Sequence, residues 1–326
     1  MRAAKRCAAL LATAFLTMGP DALPARAAKV LFGQVSPTAT GWPGIIAQRK
    51  GFFAANGIEI ETSLIGVSEG MLAVSSGSLN VMHNACNAVV NFIERGGDTV
   101  RLAMVTMNGH PALLVGKKGI SGIAELHGKT VGTSSVRSGS TILLRRLLRT
   151  HGLGDADYNL IGGGGSAQMY TGLQGGAYDA VWLVPPQSNA AAVAGFPVLG
   201  AFRDVAPKFL FVCFAVNRGW LAANTDLARR FAKAWLAGIA WLHDPANRAE
   251  AQKYLAEELK LAPEVAASTY DELVVRNSET YPRDGKVNFE ALRAVIEIMV
   301  EGAELTAPPH GDIRKYVDET MLDTTN

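Results

Sequence analysis

Strand-like and helix-like segments alternate along the first 110 residues of the chain, and the alternation then starts again. Few folds accept that order. Lys29 to Gln34 reads as a strand ending in a loop with Ser36 and Trp42, and Pro43 opens a helix that stops near Asn56-Gly57. Ile58 to Ile65 alternates apolar and polar residues, as a strand with one open face does. A helix with Met71, Leu72 and Val74 comes next, then a third strand, Leu79 to His83. A helix through Val89, Val90, Phe92 and Ile93 leads to a fourth strand, Arg101 to Thr106. This order predicts an α/β chain built on a parallel, doubly wound sheet.

From His110 the pattern is repeated. Pro111 to Gly116 reads as a crossing segment and Leu126 to Gly132 as a strand. Further strands are predicted at Tyr158–Ile161 and Tyr178–Val184, the second ending at Pro185-Pro186. Lys208 to Asn217 is apolar on both faces, the pattern of a central strand returning to the first sheet. Three apolar stripes follow at helical spacing: Leu227 to Leu242, Val265 to Val274, and Phe289 to Met299. They find no partner in the middle of the chain and are expected around the first sheet. The expected organisation is a discontinuous first domain, residues 28–112 plus 213–326, with 113–212 inserted as the second. Two crossing segments then form a hinge over a cleft.

Arg2, Lys5 and Arg6, an apolar run from Cys7 to Met18, and Ala25-Arg26-Ala27 have the pattern of a secretory signal peptide cleaved near Ala27. The expected location is the periplasm. With residues 1–27 removed, four of the 31 basic and one of the 29 acidic residues go, so the net charge passes from +2 to −1. A basic surface for nucleic acid is therefore not expected. Only Cys86 and Cys213 remain, which leaves their pairing open. No CxxC, HExxH or His pair at helical spacing suggests a metal site, and no cofactor is expected.

Gly132 to Thr141, Gly-Thr-Ser-Ser-Val-Arg-Ser-Gly-Ser-Thr, joins a strand to a helix. Small hydroxyl residues and glycine at a helix start leave N–H groups and the positive dipole end open to an anion. Arg137 adds a planar cationic fork suited to carboxylate, sulfonate or phosphate. The same residues also make an ordinary serine-capped helix. Gly162 to Gly165 lacks the spacing of a dinucleotide or phosphate loop and reads as a loop that approaches a ligand.

Three stretches then resemble a known family. Ala47-Gln-Arg-Lys-Gly-Phe-Phe53 with Gly57-Ile-Glu-Ile60, Leu126-His-Gly-Lys-Thr-Val-Gly132, and Leu173-Gln-Gly-Gly-Ala-Tyr-Asp-Ala180 are similar to motifs of type 2 periplasmic solute-binding proteins. Those proteins serve nitrate, sulfonate, taurine and thiamine-pyrimidine ABC importers. The sequence departs from the family at Asn80, where an aspartate is frequent, and lacks the cysteine-rich segment of the related pyrimidine synthases. The resemblance implies the type 2 periplasmic binding protein fold, two doubly wound α/β domains joined by a two-segment hinge. It also implies a non-enzymatic, monomeric binding protein. Its partners would be a small anionic or aromatic ligand and the permease and ATPase subunits of an importer.

The resemblance places the ligand between the domains, at the carboxyl ends of strands. Candidate residues there are Ser36, Trp42, Ser68, His83, Asn84, Asn108, Ser135, Arg137, Ser138, Ser140, Trp182 and Pro185. Trp42 could wall a pocket for an aromatic ligand or stack on its own helix, and His83 could face the cleft or pack against a carbonyl. Trp182 fits the core at least as well as a site, and His110 fits a structural place at the hinge. A ligand-sensing module for a membrane receptor uses the same fold, and an exported hydrolase is the poorer alternative, since the geometry of a serine and a histidine is not readable from sequence.

Overall fold

The computed structural model describes residues 27–136, 139–306 and 311–323. The signal-peptide pattern and the candidates Arg137 and Ser138 lie outside them. The first part of the chain runs β1 (Ala28–Gln34), α1 (Trp42–Arg49), α2 (Phe52–Ala55), β2 (Ile58–Leu64), α3 (Val67–Ser76), β3 (Val81–Ala85), α4 (Cys86–Glu94) and β4 (Val100–Asn108). The middle runs β5 (Leu113–Gly116), β6 (Thr130–Thr133), α5 (Gly139–Thr150), β7 (Asn159–Gly162), α6 (Ser166–Gln174), β8 (Ala180–Leu183), α7 (Gln187–Val193) and β9 (Val198–Ala201). The last part is β10 (Leu210–Asn217), α8 (Arg218–Ala223), α9 (Thr225–Leu242), α10 (Arg248–Leu259), α11 (Pro263–Tyr270) and α12 (Phe289–Glu301).

Two five-stranded sheets result. The first has the order β2-β1-β3-β10-β4 and the second β7-β6-β8-β5-β9. Half of the strand pairs in each are parallel: β1 pairs in parallel with β2 and β3, and β6 with β7 and β8. Neither sheet is wholly parallel, which corrects the expectation from the alternation. β10 runs antiparallel to both β3 and β4, and β5 antiparallel to both β8 and β9. These are the strands next to the two crossings between sheets, so the chain enters each sheet from the side of the other. Each sheet with its helices forms a lobe.

Local chemistry moves several boundaries. The Leu126–Gly132 segment is not one strand, because Gly128 turns the chain at a φ of +71° and β6 starts at Thr130. Asn80 stands before β3 and binds β1 twice: its Oδ1 accepts from the Leu31 N–H at 2.8 Å, and its own N–H donates to the Leu31 carbonyl at 2.9 Å. The residue that departs from the family pattern therefore does structural work an aspartate could share. β9 and α10 carry too little apolar periodicity to be read from sequence; β9 runs from exposed to half-buried.

One face of the first sheet is covered by α1 and α9. Phe32, Trp42, Ile46, Phe214, Phe231 and Trp235 form its core. The two helices meet through glycines. A Cβ on Gly238 would stand 2.2 Å from the Pro43 carbonyl oxygen, and one on Gly44 would stand 2.4 Å from Cζ3 of Trp235. Gly238→Val is expected to push α9 off α1 and to cost about 1–3 kcal/mol, read as a lower urea midpoint with an unchanged m-value. The opposite face carries α4 and α12, and this core continues without a break into the second lobe. It joins Met82, Cys86, Val89 and Met299 to Leu143, Leu147, Val131 and Val181. Of the three C-terminal stripes, α9 covers the first sheet as expected. α12 touches both α4 and α5, so it spans the two lobes.

Candidate functional site

In each lobe the central strands end where helices begin, and those ends define the candidate site. β3 passes directly into α4, β6 turns through Ser134 to Val136 into α5, and β8 passes through Val184, Pro185 and Pro186 into α7. A buried relay fixes the β6 turn. The Trp182 indole N–H donates to Thr133 Oγ1 at 2.9 Å, the two hydroxyls of Thr133 and Thr141 lie 2.6 Å apart, and the Thr141 hydroxyl donates to the Ser135 carbonyl at 2.6 Å. Since Thr141 gives its proton to Ser135, Thr133 must donate to Thr141.

The hinge is built on His110. Its Nδ1 accepts from the Ala112 N–H at 3.3 Å, so Nε2 carries the proton and donates to the Ser140 hydroxyl at 3.0 Å. Phe211, Phe202, Phe209 and Trp182 surround the ring, with the Phe211 centroid 4.3 Å away. Burial pushes its pKa down to about 3, which keeps it neutral. The connection between lobes is thus an apolar box with one directed bond to α5.

Three candidates turn out to be core residues. Trp42 is fully buried, its indole N–H donates to the Ala251 carbonyl at 3.2 Å, and its ring meets Tyr270 edge-on. It walls no pocket, so it gives no reason to favour an aromatic ligand. Pro43 sits in the first turn of α1, which turns the tryptophan inward under α10. His83 points away from the cleft into the aromatic cluster of Phe32, Phe214 and Trp235, with Nε2 2.8 Å from Thr106 Oγ1. Burial pushes its pKa down to about 3 as well. Trp182 is spent on Thr133 and the hinge box.

Other candidates stay at strand ends. Ser36 and Ser135 are exposed in the turns after β1 and β6, Ser68 is exposed in the first turn of α3, and Pro185 is buried after β8. Asn108 ends β4, where its N–H donates to the Thr280 carbonyl at 2.8 Å. It faces an opening of about 370 Å³ shared with Arg203 and Arg276, both of which pair with Glu272. Ser140 lines a smaller cavity of about 60 Å³ between the lobes, with Ala85, Asn87, Gly139, Phe211 and Met299.

Three buried polar atoms near these strand ends have no hydrogen-bond partner: Asn84 Nδ2 just inside the end of β3, and Ser188 Oγ and Asn189 Oδ1 in the first turn of α7, which follows β8. Their residues are 2%, 0% and 3% exposed. Buried polar groups are nearly always satisfied, so such a group marks a place for water or a ligand. Ser188 and Asn189 were not among the sequence candidates; the signal available was a polar cluster, Gln187-Ser-Asn189, just past the Pro185-Pro186 pair that follows a buried strand. The strand ends also carry exposed apolar residues in both lobes, Val35, Leu64 and Val67 in one and Val136 and Ile161 in the other. Two links tie the second lobe to the first on the α7 side: Asn189 Nδ2 to Ser268 Oγ at 3.2 Å and Arg203 to Glu272 at 2.8 Å.

The fold is shared with solved binding proteins. The alkanesulfonate-binding protein SsuA of Xanthomonas axonopodis pv. citri, bound to MOPS, matches with a TM-score of 0.69 at 16% identity, over 90% or nearly so of each chain (89% of this one and 97% of that one). The periplasmic aliphatic sulphonate binding protein SsuA of Escherichia coli matches with a TM-score of 0.67 at 19% identity, over 88% and 91%. The periplasmic nitrate-binding protein NrtA of Synechocystis PCC 6803 matches with a TM-score of 0.59 at 16% identity, over 73% and 68%. No curated protein sequence matches the chain. Residues 41–249, well over half of the chain, match the NMT1/THI5-like family. With its paired mixed sheets, its two crossings between them and that match, the chain belongs to the NMT1/THI5-like family and has the periplasmic binding protein fold.

Proposed function

We propose that this chain is the extracytoplasmic solute-binding component of an ABC importer, which closes its lobes on a small organic anion and then docks on a permease. The observation that carries the reading is the set of unpartnered polar atoms near the ends of β3 and β8, one strand in each lobe. Asn84 Nδ2 and the Ser188 hydroxyl can each donate to an oxyanion oxygen, and Asn189 Oδ1 can accept from a donor on the ligand or from water. The exposed apolar residues at the strand ends of both lobes suit the carbon body of such a ligand. Family membership and the sulfonate and nitrate binders of the same fold support the same role.

In this reading the lobes are domains that rotate about the His110 box, with the second boundary expected at 212/213 moved to before Leu210, because β10 belongs whole to the first sheet. Ser36 and Ser135 contribute from the turns after β1 and β6, Ser68 and Ser140 from the first turns of α3 and α5, and Arg137 and Ser138 join them. Titration calorimetry of residues 28–326 against sulfonates, carboxylates, nitrate and pyrimidines is expected to give saturable one-site binding to an anion class. Failure to bind any of them, with turnover of an ester, would overturn the reading. Arg137→Ala is expected to weaken that binding by about 2–4 kcal/mol, since a desolvated anion loses its charged partner. Unchanged affinity would return Arg137 to solvent.

A further inference from the structure

On the face of the first sheet that α1 and α9 cover, the edge strand β2 stays partly open: Ile60 is half-buried and Thr62 exposed. The pairing of Phe32 with Thr62 turns Phe32, Gln34, Ile60 and Thr62 to this same side. Gly41, just before α1, and Ile45 and Gln48 on it face them at helical spacing. Between the two is a cavity of about 360 Å³, in the range of small-molecule sites. All of its lining comes from the first lobe, so it is separate from any space between the lobes.

The lining has a consistent chemistry. Its aromatic part, Phe32, Phe53 and Trp235, is 5%, 3% and 2% exposed. Trp235 also holds a buried indole N–H with no acceptor, whereas buried donors are nearly always bonded. Its uncharged polar part, Gln34, Gln48 and Thr62, spends no side-chain hydrogen bond on the described residues. Gly41 leaves room rather than serving the backbone. Its φ of −87° suits any residue, and a Cβ there would meet nothing nearer than Gln34 Oε1 at 3.6 Å. The charged groups at the rim are already matched: Arg49 binds Glu257 and, at 3.2 Å, Glu258, and Lys253 stands 3.9 Å from Glu257. An ion entering here would give up its hydration without finding an unpaired opposite charge.

We propose that this cavity is a binding site for a small neutral aromatic molecule that carries an amide-like pair of donor and acceptor. The ring lies against Phe32, Phe53 and Trp235, and the donor and acceptor meet the Gln34 and Gln48 amides and the Thr62 hydroxyl. The site needs no movement of the lobes. It stands apart from the solute-binding reading above, and either can fail alone.

The experiment titrates benzamide, benzoate and benzylamine into isotope-labelled residues 28–326 and reads the tryptophan indole N–H resonances, with Trp235→Phe identifying the one that belongs to Trp235. Benzamide is expected to shift that resonance saturably, with a dissociation constant on the order of 1 mM, the scale for a ligand of its size. Benzoate and benzylamine, of the same size but charged, are expected to bind at least about tenfold more weakly. Gly41→Leu fills the cavity from the side of α1 and Thr62→Trp covers it from β2. Each is expected to weaken benzamide by about tenfold or more, and Thr62→Trp alters only an exposed edge residue, so its loss is not one of folding. Arg137→Ala is expected to leave benzamide binding unchanged. No saturable shift at Trp235 overturns the proposal, as does equal affinity for a charged probe or unchanged affinity in both cavity variants. A matching loss in Arg137→Ala would also overturn it, by assigning benzamide to the space between the lobes.

Discussion

Lowering the pH from 7 to 4 is expected to cost the folded protein about 3 kcal/mol at each of His83 and His110. Both rings are buried and have pKa values pushed down to about 3, against an ordinary value of 6.5. The unfolded chain therefore takes up two protons that the folded chain refuses. Stability from this source is full above about pH 6.5 and falls by up to about 1.4 kcal/mol per histidine per pH unit until pH 3. Urea unfolding from pH 7.5 to pH 4 checks this. Carboxylates contribute in the same range, so the decisive quantity is the difference between variants. His110→Leu should lower stability at pH 7.5, through the loss of its bond to Ser140, yet reduce the slope by one proton. An unchanged slope would mean that the ring titrates in the folded state. His83 is less simple to replace, since an apolar side chain there strands the Thr106 hydroxyl in the core.

Trp42→Ala is expected to cost about 3–5 kcal/mol, the range for deleting a large buried aromatic side chain. The ring fills the space between α1, α10 and α11, and no smaller neighbour can move in while α1 is held against α9 by Gly44 and Gly238. Trp42→Phe keeps part of the edge-on contact with Tyr270 and loses the N–H, so a loss of about 1–3 kcal/mol is expected. Thermal unfolding gives the ranking. Calorimetry on Trp42→Phe separates the two roles that the sequence leaves open for this residue. A core tryptophan predicts unchanged ligand affinity, and a tenfold loss would place the ring back in the site.

The fold was legible because its pattern is repeated. A strand-to-helix period twice over, with a both-faces-apolar strand at Leu210–Asn217, has few topologies open to it. The antiparallel sense of β5 and β10 was not legible, because a buried strand has the same composition in either direction. The site was harder for a physical reason. Position at a strand end says where a residue sits along the sheet axis, and not which face its side chain takes. His83 and Asn84 are adjacent on β3: one enters the aromatic cluster and the other keeps an unpartnered amide nitrogen. A shift of one residue inverts that assignment.

The place of β10 between β3 and β4 also orders events as the chain is made. Leaving the N-terminal end, β3 and β4 both emerge early, but β3 has only β1 beside it and β4 has no strand beside it until residues 210–217 are available. Everything needed for the second sheet lies between Leu113 and Ala201 and is present before that. The segment separating Asn108 from Leu210, about 100 residues, would be a costly loop to close if it were slack. Once the second lobe has collapsed, its own sheet holds the two ends of that segment close together, and the first sheet completes by a short-range pairing. The inserted lobe then acts as a jig for the lobe that surrounds it. Weakening β5 or β8 should therefore slow the formation of a sheet to which neither strand belongs.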